Sequence, residues 1–367
     1  MPFEIIRNDI TKVKADVIVN TANPKPVIGS GTDSAVYHAA GESLLLAERR
    51  KIGDIMPGAA VATPAFHLPA KHIIHTVGPV WVDGSHREKE ILHSCYAKSL
   101  SLADNLSAES IAFPLIATGV YGFPKDEALN IALSEIGKFL LTHEMKIILV
   151  VFDHASFQLS EDLVGGIEAY IDDHGVLLAR EAEYGEDEYR GPSKLFRRRE
   201  ELERMQVYHD NFSFTSAQED SEEYLPDVQY MPEPVAAAPL PAMNGKSLDE
   251  VLGAAGKSFQ QRLFELIDES GMDDVSVYKR ANIDRKVFSR IRCKADYKPK
   301  KKTAVAFAIA LQLDMPTMLD LLSRAEIAFS PSNKFDLIVT YFVTNGIYDI
   351  YEINAALFKY GQPILGE

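Results

Sequence analysis

The sequence predicts an α/β layered domain, then an acidic segment with little to bury, then an all-helical domain. Short apolar runs alternate with helical periodicity through residues 1–172, which indicates strands and helices arranged in layers. Residues 173–246 are acidic and rich in Pro and Ala, which is typical of a mostly disordered linker. Helical periodicity returns at residue 247 and continues to residue 367.

Individual elements follow from the apolar pattern. Strands are predicted at residues 16–20, 72–76, 111–114 and 147–152. Helices of the first domain are predicted at 88–103, 125–141 and 158–171. Because helices separate the strands along the chain, the sheet is expected to be largely parallel or mixed.

Composition and charge exclude several classes of protein. A net charge of −15 argues against a surface that binds nucleic acid all over, but it allows one local basic face. Cys95 and Cys293 cannot form a disulfide framework or a cysteine zinc site. His72 and His75 are expected on opposite faces of one strand, so no metal is predicted. Without a signal-peptide pattern or a long apolar run, we expect a cytoplasmic protein with no membrane partner.

Two loops that follow strands contain the residue types of a ligand site. In VNTANPKPVIGSGTD, the side chains of Asn20, Asn23 and Asp33 surround a loop broken by Pro and Gly, although turn chemistry alone explains such residues. In ATGVYGFP, Gly119 and Gly122 bracket a turn that leads into a helix. Backbone N–H groups in such turns bind anions. The pair of loops predicts a groove for a diphosphate-linked nucleotide and sugar.

Five segments, taken in order, resemble the macrodomain family, which binds ADP-ribose. They are RNDIT at 7–11, VIVNTAN at 17–23, GSGTDSAVYHAAG at 29–41, LPAKHIIHTVGPVW at 68–81 and FPLIATGVYGFP at 113–124. The resemblance covers nearly the whole first domain. It implies a three-layer α/β/α fold with a mixed sheet and no cofactor.

The resemblance also implies a set of ligand contacts. Asp9 would bind the adenine amine and Asn23 the distal ribose, with Phe123 near that ribose and Phe152 near the adenine. The full predicted set is Asp9, Ile10, Asn20, Asn23, Gly29, Ser30, Gly31, Thr32, Asp33, Thr118, Gly119, Val120, Tyr121, Gly122, Phe123 and Phe152. Asn20 could instead be structural, and the two phenylalanines could be core residues.

The catalytic prediction is Asp33 with Asn23. Asp33 matches the aspartate that positions or activates water in hydrolytic MacroD-like members, and it could also cap the helix at 34–40. The resemblance implies removal of mono-ADP-ribose from acidic side chains, or deacetylation of O-acetyl-ADP-ribose. The usual four-glycine run reads IGSG here, and the usual histidine four residues after the aspartate is Tyr37, with His38 on a different face. The alternative is a reader that binds ADP-ribose or ADP-ribosylated protein without turnover.

The C-terminal domain resembles a Cro/repressor-type helix-turn-helix domain. Its second helix, VSVYKRA, and its recognition-like helix, RKVFSRIRCK, are separated by a turn at 282–284. Residues 279–302 contain eleven Lys and Arg residues and two Asp residues, which gives a local charge of +9. The predicted nucleic-acid contacts are Lys279, Arg285, Lys286, Ser289, Arg290, Arg292 and Lys294. DNA binding would make the protein an ADP-ribose-responsive regulator. Alternatively, the basic helix docks on an acidic protein or on the linker.

Overall fold

The computed structural model describes residues 2–152, 157–183, 257–294 and 297–366, and for 173–183 it describes the backbone alone. Residues 1–175 and 257–367 form one compact unit. A helix continues to Glu183, beyond the predicted domain boundary at 172. The rest of the predicted linker, and the start of the predicted helical domain at 247–256, lie outside the described residues. The division at 172 and 246 therefore stays a prediction.

A six-stranded sheet forms the centre of the N-terminal region. Its strands are β1 (Phe3–Arg7), β2 (Val17–Thr21), β3 (Ala60–Pro64), β4 (His72–Thr76), β5 (Ser110–Pro114) and β6 (Lys146–Val151). The order across the sheet is β1-β6-β5-β2-β4-β3. The β3–β4 pair is antiparallel and the other pairs are parallel, which confirms the predicted mixed sheet. The apolar pattern does not predict β3, because this edge strand is only partly buried.

Helices cover both faces of the sheet. They are α1 (Thr32–Ala40), α2 (Glu42–Ile52), α3 (Glu88–Asn105), α4 (Lys125–Thr142) and α5 (Glu161–Glu183), with a short 3-10 helix at Ile10–Lys12. Successive residues of a strand point to opposite faces. Val17 and Val19 accordingly pack in one core with residues of α3 and α4, and Ile18 packs in the other with α1 and α2. The predicted three-layer arrangement is confirmed.

The C-terminal region is all-helical, as predicted. Its helices are α6 (Phe259–Ser270), α7 (Asp274–Arg280), α8 (Arg285–Cys293), α9 (Lys301–Ala310), α10 (Met315–Ser323), α11 (Lys334–Thr344) and α12 (Ile350–Lys359). Their ends follow local chemistry, since Ser258 forms a capping box with Gln261, and Asp273 and Asp284 cap α7 and α8. Helix α9 is buried from Thr303 to Ala310 and forms the centre of this region. Its assignment to the helix-turn-helix class stays a prediction.

The helical region packs directly on the outer edge of β1. The Asn282 side chain accepts a hydrogen bond from the Phe3 backbone N–H at 2.9 Å and donates one to the Phe3 carbonyl at 3.0 Å. It therefore satisfies edge groups that a neighbouring strand would otherwise bind. Beside this contact, the Tyr351 ring meets the Phe3 ring edge-on and lies against α4, where a Cβ on Gly137 would be 3.0 Å from it. The two regions thus share one hydrophobic core.

We expect Asn282→Ala to lower the free energy of unfolding by about 2 kcal/mol or more, because two buried backbone groups of Phe3 would be left without a partner. Gln312→Ala is the matched control. Gln312 is exposed and has the same φ of 53° as Asn282, so this variant shows the effect of an alanine at a left-handed position away from β1. Urea unfolding of both variants measures the difference. Equal destabilisation of the two variants would show that the contact with β1 adds no stability.

Candidate functional site

A cavity of about 700 Å³ opens where β1, β2, β5 and β6 end. Ligands of open α/β sheets bind outside the carboxyl ends of the strands, so this is the expected place for a site. Most of the predicted ligand residues line this cavity: Asp9, Ile10, Asn23, Gly29, Ser30, Gly31, Thr32, Asp33, Thr118, Gly119, Val120, Tyr121 and Phe152. The sequence therefore brings both predicted loops to one cavity.

Three predicted ligand residues lie elsewhere. Asn20 is fully buried below the cavity and bonds to Asp33, which agrees with its structural alternative. Phe123 is buried and packs edge-on against Trp81, with ring centroids 4.7 Å apart. Gly122, at a φ of 66°, supplies the turn that closes the second loop and does not reach the cavity wall. The strand and loop pattern could not show which side chains turn inward.

Backbone hydrogen bonds close the second loop beside the cavity. The N–H of Gly122 donates to Gly119 O, and the N–H of Phe123 donates to Ala117 O, so the loop closes on itself. Thr118, Gly119, Val120 and Tyr121 line the cavity between these bonds. Helix α1 also begins at the cavity lining, at Thr32, and the N-terminal end of a helix favours anions. The cavity is thus suited to a ligand with a diphosphate.

Asn23 and Gly29 pack tightly at the start of the first loop. Asn23 Nδ2 lies 3.3 Å from Val27 O, to which it donates. A Cβ on Gly29 would lie 2.5 Å from Asn23 Nδ2 and 3.1 Å from Asp33 Oδ2. Only glycine allows this approach, so the residue type at position 29 follows from the placement of Asn23 and Asp33.

Asp33 is 3% exposed, and protein donors bind both of its carboxylate oxygens. Oδ1 accepts from Asn20 Nδ2 at 2.6 Å, and Oδ2 accepts from the Gly29 N–H at 2.6 Å. Burial raises the pKa of Asp33, and the two hydrogen bonds and the Arg49 charge oppose that rise. The alternative in which Asp33 caps its helix is wrong. Gly31 is the N-cap of α1, and the carboxylate faces Gly29 and Asn20 instead.

Arg49 and Tyr37 are buried beneath the first loop. The Arg49 guanidinium donates to Gly53 O at 2.8 Å and to Asn23 O at 3.5 Å, so it supports the backbone of Asn23. Burial, with a smaller contribution from the Asp33 charge, raises the pKa of Tyr37. Tyr37 does not line the cavity. His38 is exposed and lies 3.5 Å from Glu42, as its place on another helix face predicts.

His75 is a site residue that the sequence pattern did not reveal. It is fully buried, with Nδ1 3.1 Å from Asn20 Nδ2 and Nε2 3.0 Å from Thr63 Oγ1. Burial, with a smaller contribution from the Arg49 charge, lowers its pKa to about 3. The signal that could have found it is strand register, because Asn20 and His75 are direct partners in the parallel β2–β4 pair.

The far end of the cavity holds Asp9 and Phe152. Asp9 Oδ1 accepts from the Thr11 N–H and hydroxyl at 2.9 and 2.8 Å, and thereby caps the 3-10 helix. Its other oxygen lies 3.9 Å from Lys12 Nζ. Phe152 directly follows β6 and is 73% exposed, so its ring is available to stack on a planar group.

One group among the described residues has the spacing of metal ligands. Asp83, His86 and Glu88 each offer an atom within 4.8 Å of the others. Glu88, however, is buried, and its carboxylate accepts from the backbone N–H groups of Val82, Gly84 and His86. These bonds account for the group as a means of ordering the loop before α3.

The predicted nucleic-acid residues divide into two groups. Arg285, Lys286, Ser289, Arg290 and Lys294 are exposed on α8 or directly after it. Lys279, by contrast, is buried and donates to Leu141 O and His143 O at the end of α4. Arg292 pairs with Asp274 and lies over the Phe264 ring. Lys279 therefore serves an internal contact, whereas the Arg292 side chain stays 57% exposed within its ion pair.

Comparison with known proteins agrees with the site. Residues 19–132 match the Macro domain family. An O-acetyl-ADP-ribose deacetylase of Citrobacter rodentium is 44% identical over 167 residues, which span 44% of this chain and 94% of that protein. The corresponding protein of Escherichia coli K12 is 42% identical over the same shares. The chain belongs to the macrodomain family, which confirms the resemblance of its first domain.

Solved macrodomains are also similar. An Oceanobacillus iheyensis macrodomain with ADP is 40% identical, with a TM-score of 0.39, and the match covers 44% of this chain and 84% of that one. A Trypanosoma brucei macrodomain in complex with ADP-ribose is 35% identical, with a TM-score of 0.39, and covers 42% and 66%. Within the described residues, no helix combines the length and apolar character needed to cross a membrane.

The buried His75 makes stability depend on pH. Its folded-state pKa is about 3, whereas the unfolded value is about 6.5, so its contribution is complete above pH 6.5 and declines as pH falls toward 3. Between about pH 7.5 and about pH 5 we expect a loss of about 2 kcal/mol from this residue. In His75→Gln that loss should disappear, whereas it should persist in the control His38→Gln. Urea unfolding at both pH values measures it, and an unchanged pH dependence in His75→Gln would contradict the assignment.

Proposed function

We propose that this macrodomain binds ADP-ribose in the cavity and hydrolyses ester-linked ADP-ribose there. The substrates would be mono-ADP-ribose on acidic side chains of proteins, or O-acetyl-ADP-ribose. The observation that carries the proposal is the Asp33 carboxylate, buried on the cavity wall beside Asn23. The two relatives named O-acetyl-ADP-ribose deacetylase support it.

The proposed pose extends along the cavity. The adenine stacks on Phe152 and its amine donates to Asp9, whose second oxygen has no hydrogen-bond donor among the described residues. The diphosphate accepts from backbone N–H groups of the loop at 118–121 and from the start of α1. The distal ribose then reaches Asn23 and Asp33, where the ester bond lies.

In the proposed reaction Asp33 is the general base. It takes one proton from a water molecule while the water oxygen bonds to the reacting carbon. With O-acetyl-ADP-ribose that carbon is the acyl carbon, and Asp33 returns the proton to the departing ribose oxygen. The acetic acid that leaves keeps the second proton of the water and then ionises to acetate. With a protein ester, water attacks the anomeric carbon, and the C–O bond breaks to leave the protein carboxylate. A base with a raised pKa accepts a proton more readily.

Tyr37 does not oppose this mechanism. The tyrosine that replaces the usual histidine is 1% exposed and lies outside the cavity lining. Because burial raises its pKa, its hydroxyl stays protonated and does not compete with Asp33 for the water proton. The helical region would then serve to target the enzyme.

The first experiment pairs ADP-ribose calorimetry with release of ADP-ribose from an Asp/Glu-modified protein and from its O-acetyl ester. We expect Asp33→Ala to lower turnover at least about 100-fold, because the general base is removed. Affinity should change less than about tenfold, since backbone N–H groups bind the phosphates. Asp54→Ala, at an exposed aspartate, is the control. Binding without release by the wild type would identify a reader, and absence of binding would refute the whole proposal.

A second candidate function is nucleic-acid binding by α8. The observation that favours it is the exposed basic surface formed by Arg285, Lys286, Arg290 and Lys294. Two features limit it, because Lys279 is buried against α4 and the turn before α8 is held at β1 through Asn282. A duplex would thus have to approach α8 with the sheet domain alongside.

Binding of a labelled random-sequence DNA duplex, measured by anisotropy across a salt series, tests this candidate. The double variant Lys286→Glu with Arg290→Glu should lower the salt slope by about 2, because each of the two side chains would no longer neutralise a phosphate. Lys14→Glu with Lys51→Glu makes the same charge change on the first domain, at two exposed lysines. If both double variants lower the salt slope equally, the change in net charge explains the effect and α8 is not the binding surface. Release of the duplex by ADP-ribose would support a ligand-responsive regulator.

A further inference from the structure

Three polar side chains lie behind Asp33, below the cavity lining. They are Asn20 on β2, His75 on β4 and Thr63 on β3, and all three are buried. Hydrogen-bond distances join them in one chain, with 2.6 Å from Asp33 Oδ1 to Asn20 Nδ2, 3.1 Å from Asn20 Nδ2 to His75 Nδ1, and 3.0 Å from His75 Nε2 to Thr63 Oγ1. The chain crosses three adjacent strands and ends at the carboxylate.

Donor and acceptor chemistry fixes the direction of every bond in this chain. An ionised carboxylate only accepts, so the amide nitrogen of Asn20, and not its oxygen, faces Asp33. The same nitrogen faces His75 Nδ1, which must therefore be the unprotonated acceptor. A neutral imidazole then carries its proton on Nε2 and donates to the Thr63 hydroxyl.

The Asn20 amide oxygen indicates that Asp33 and His75 determine the orientation of the amide group. Oδ1 is buried and has no hydrogen-bond partner among the described residues. Buried polar atoms are normally paired, so an orphaned oxygen disfavours the orientation that it accompanies. The two hydrogen bonds that Asn20 Nδ2 donates, to Asp33 and to His75, offset the free-energy cost of the unpaired oxygen.

We propose that His75, acting through Asn20, is a positioning residue that keeps Asp33 ionised and in place. Thr63 determines which nitrogen of His75 carries the proton, and this tautomer determines the orientation of the Asn20 amide. The amide nitrogen then donates to one oxygen of the Asp33 carboxylate. The catalytic meaning of this arrangement rests on the proposed function, but the arrangement itself is a property of the protein alone.

Burial, with a smaller contribution from the charge of Arg49 on α2, lowers the pKa of His75 and keeps the imidazole neutral. The Tyr37 ring of α1 lies 6.4 Å from the imidazole, measured between ring centroids. Asp33 of α1 is reached through the Asn20 amide, which separates the two groups. His75 therefore remains an acceptor toward Asn20 throughout the range in which a carboxylate with a raised pKa titrates.

The test is NMR titration of the aspartate side-chain carboxyl carbons, with the Asp33 signal assigned by Asp33→Asn. In Asn20→Ala we expect the Asp33 midpoint to rise by about one pH unit, because the charged form no longer accepts the amide hydrogen bond. Thr63→Val should raise it in the same direction by a smaller amount. Thr63→Ser keeps the hydroxyl and should restore the wild-type midpoint. Imidazole 15N shifts should show the proton on Nε2.

Two results would overturn the inference. One is a wild-type His75 that carries its proton on Nδ1, and the other is an unchanged Asp33 midpoint in Thr63→Val. Comparison of Thr63→Val with Thr63→Ser tests the inference even if Asn20→Ala does not fold. Where turnover is measurable, the acidic limb of the kcat/KM profile should move with the Asp33 midpoint while affinity for ADP-ribose stays constant. Absence of turnover in the wild type would refute the proposed function. The NMR titration would still test the positioning of Asp33, because it does not depend on turnover.

Discussion

The buried carboxylate of Asp33 determines what the residues around it must be. Because it is shielded from water, both oxygens need donors, and Asn20 and the Gly29 backbone supply them. The close approach of Gly29 excludes a Cβ there. Arg49 supplies a compensating charge from beneath the loop while supporting Asn23. The local sequence around the site is thus largely a consequence of one desolvated charge.

Most of the first domain could be predicted because its signals are local. Apolar runs predict four of the strands, and loops with Gly after strands predict the cavity walls. What could not be predicted depends on partners distant in sequence. His75 has the pattern of an ordinary strand residue until β4 pairs with β2, and Phe123 turns toward Trp81 only in the packed structure. Helix-cap propensity at Asp33 was overridden by donors that face it from Asn20 and Gly29.

The basic helix shows a different limit of sequence interpretation. Charge density predicts a surface for polyanions, and six of the seven predicted residues are indeed exposed. Charge alone does not show which of these side chains already bind other groups of the same chain. Lys279 binds carbonyl groups at the end of α4, where cations are favoured by the helix dipole, and Arg292 pairs with Asp274. The helical region is therefore partly committed to the sheet domain before any external partner is considered.

The contact between Asn282 and Phe3 spans 279 residues of sequence, and this has a consequence for synthesis on the ribosome. Every strand of the sheet has been translated once β6 is complete at Val151. The outer edge of β1 must then wait for the segment that covers it. At about 5–20 residues per second, the delay is on the order of ten seconds. During that time the nascent chain presents an open strand edge, the feature through which unfinished proteins associate with one another or are bound by chaperones.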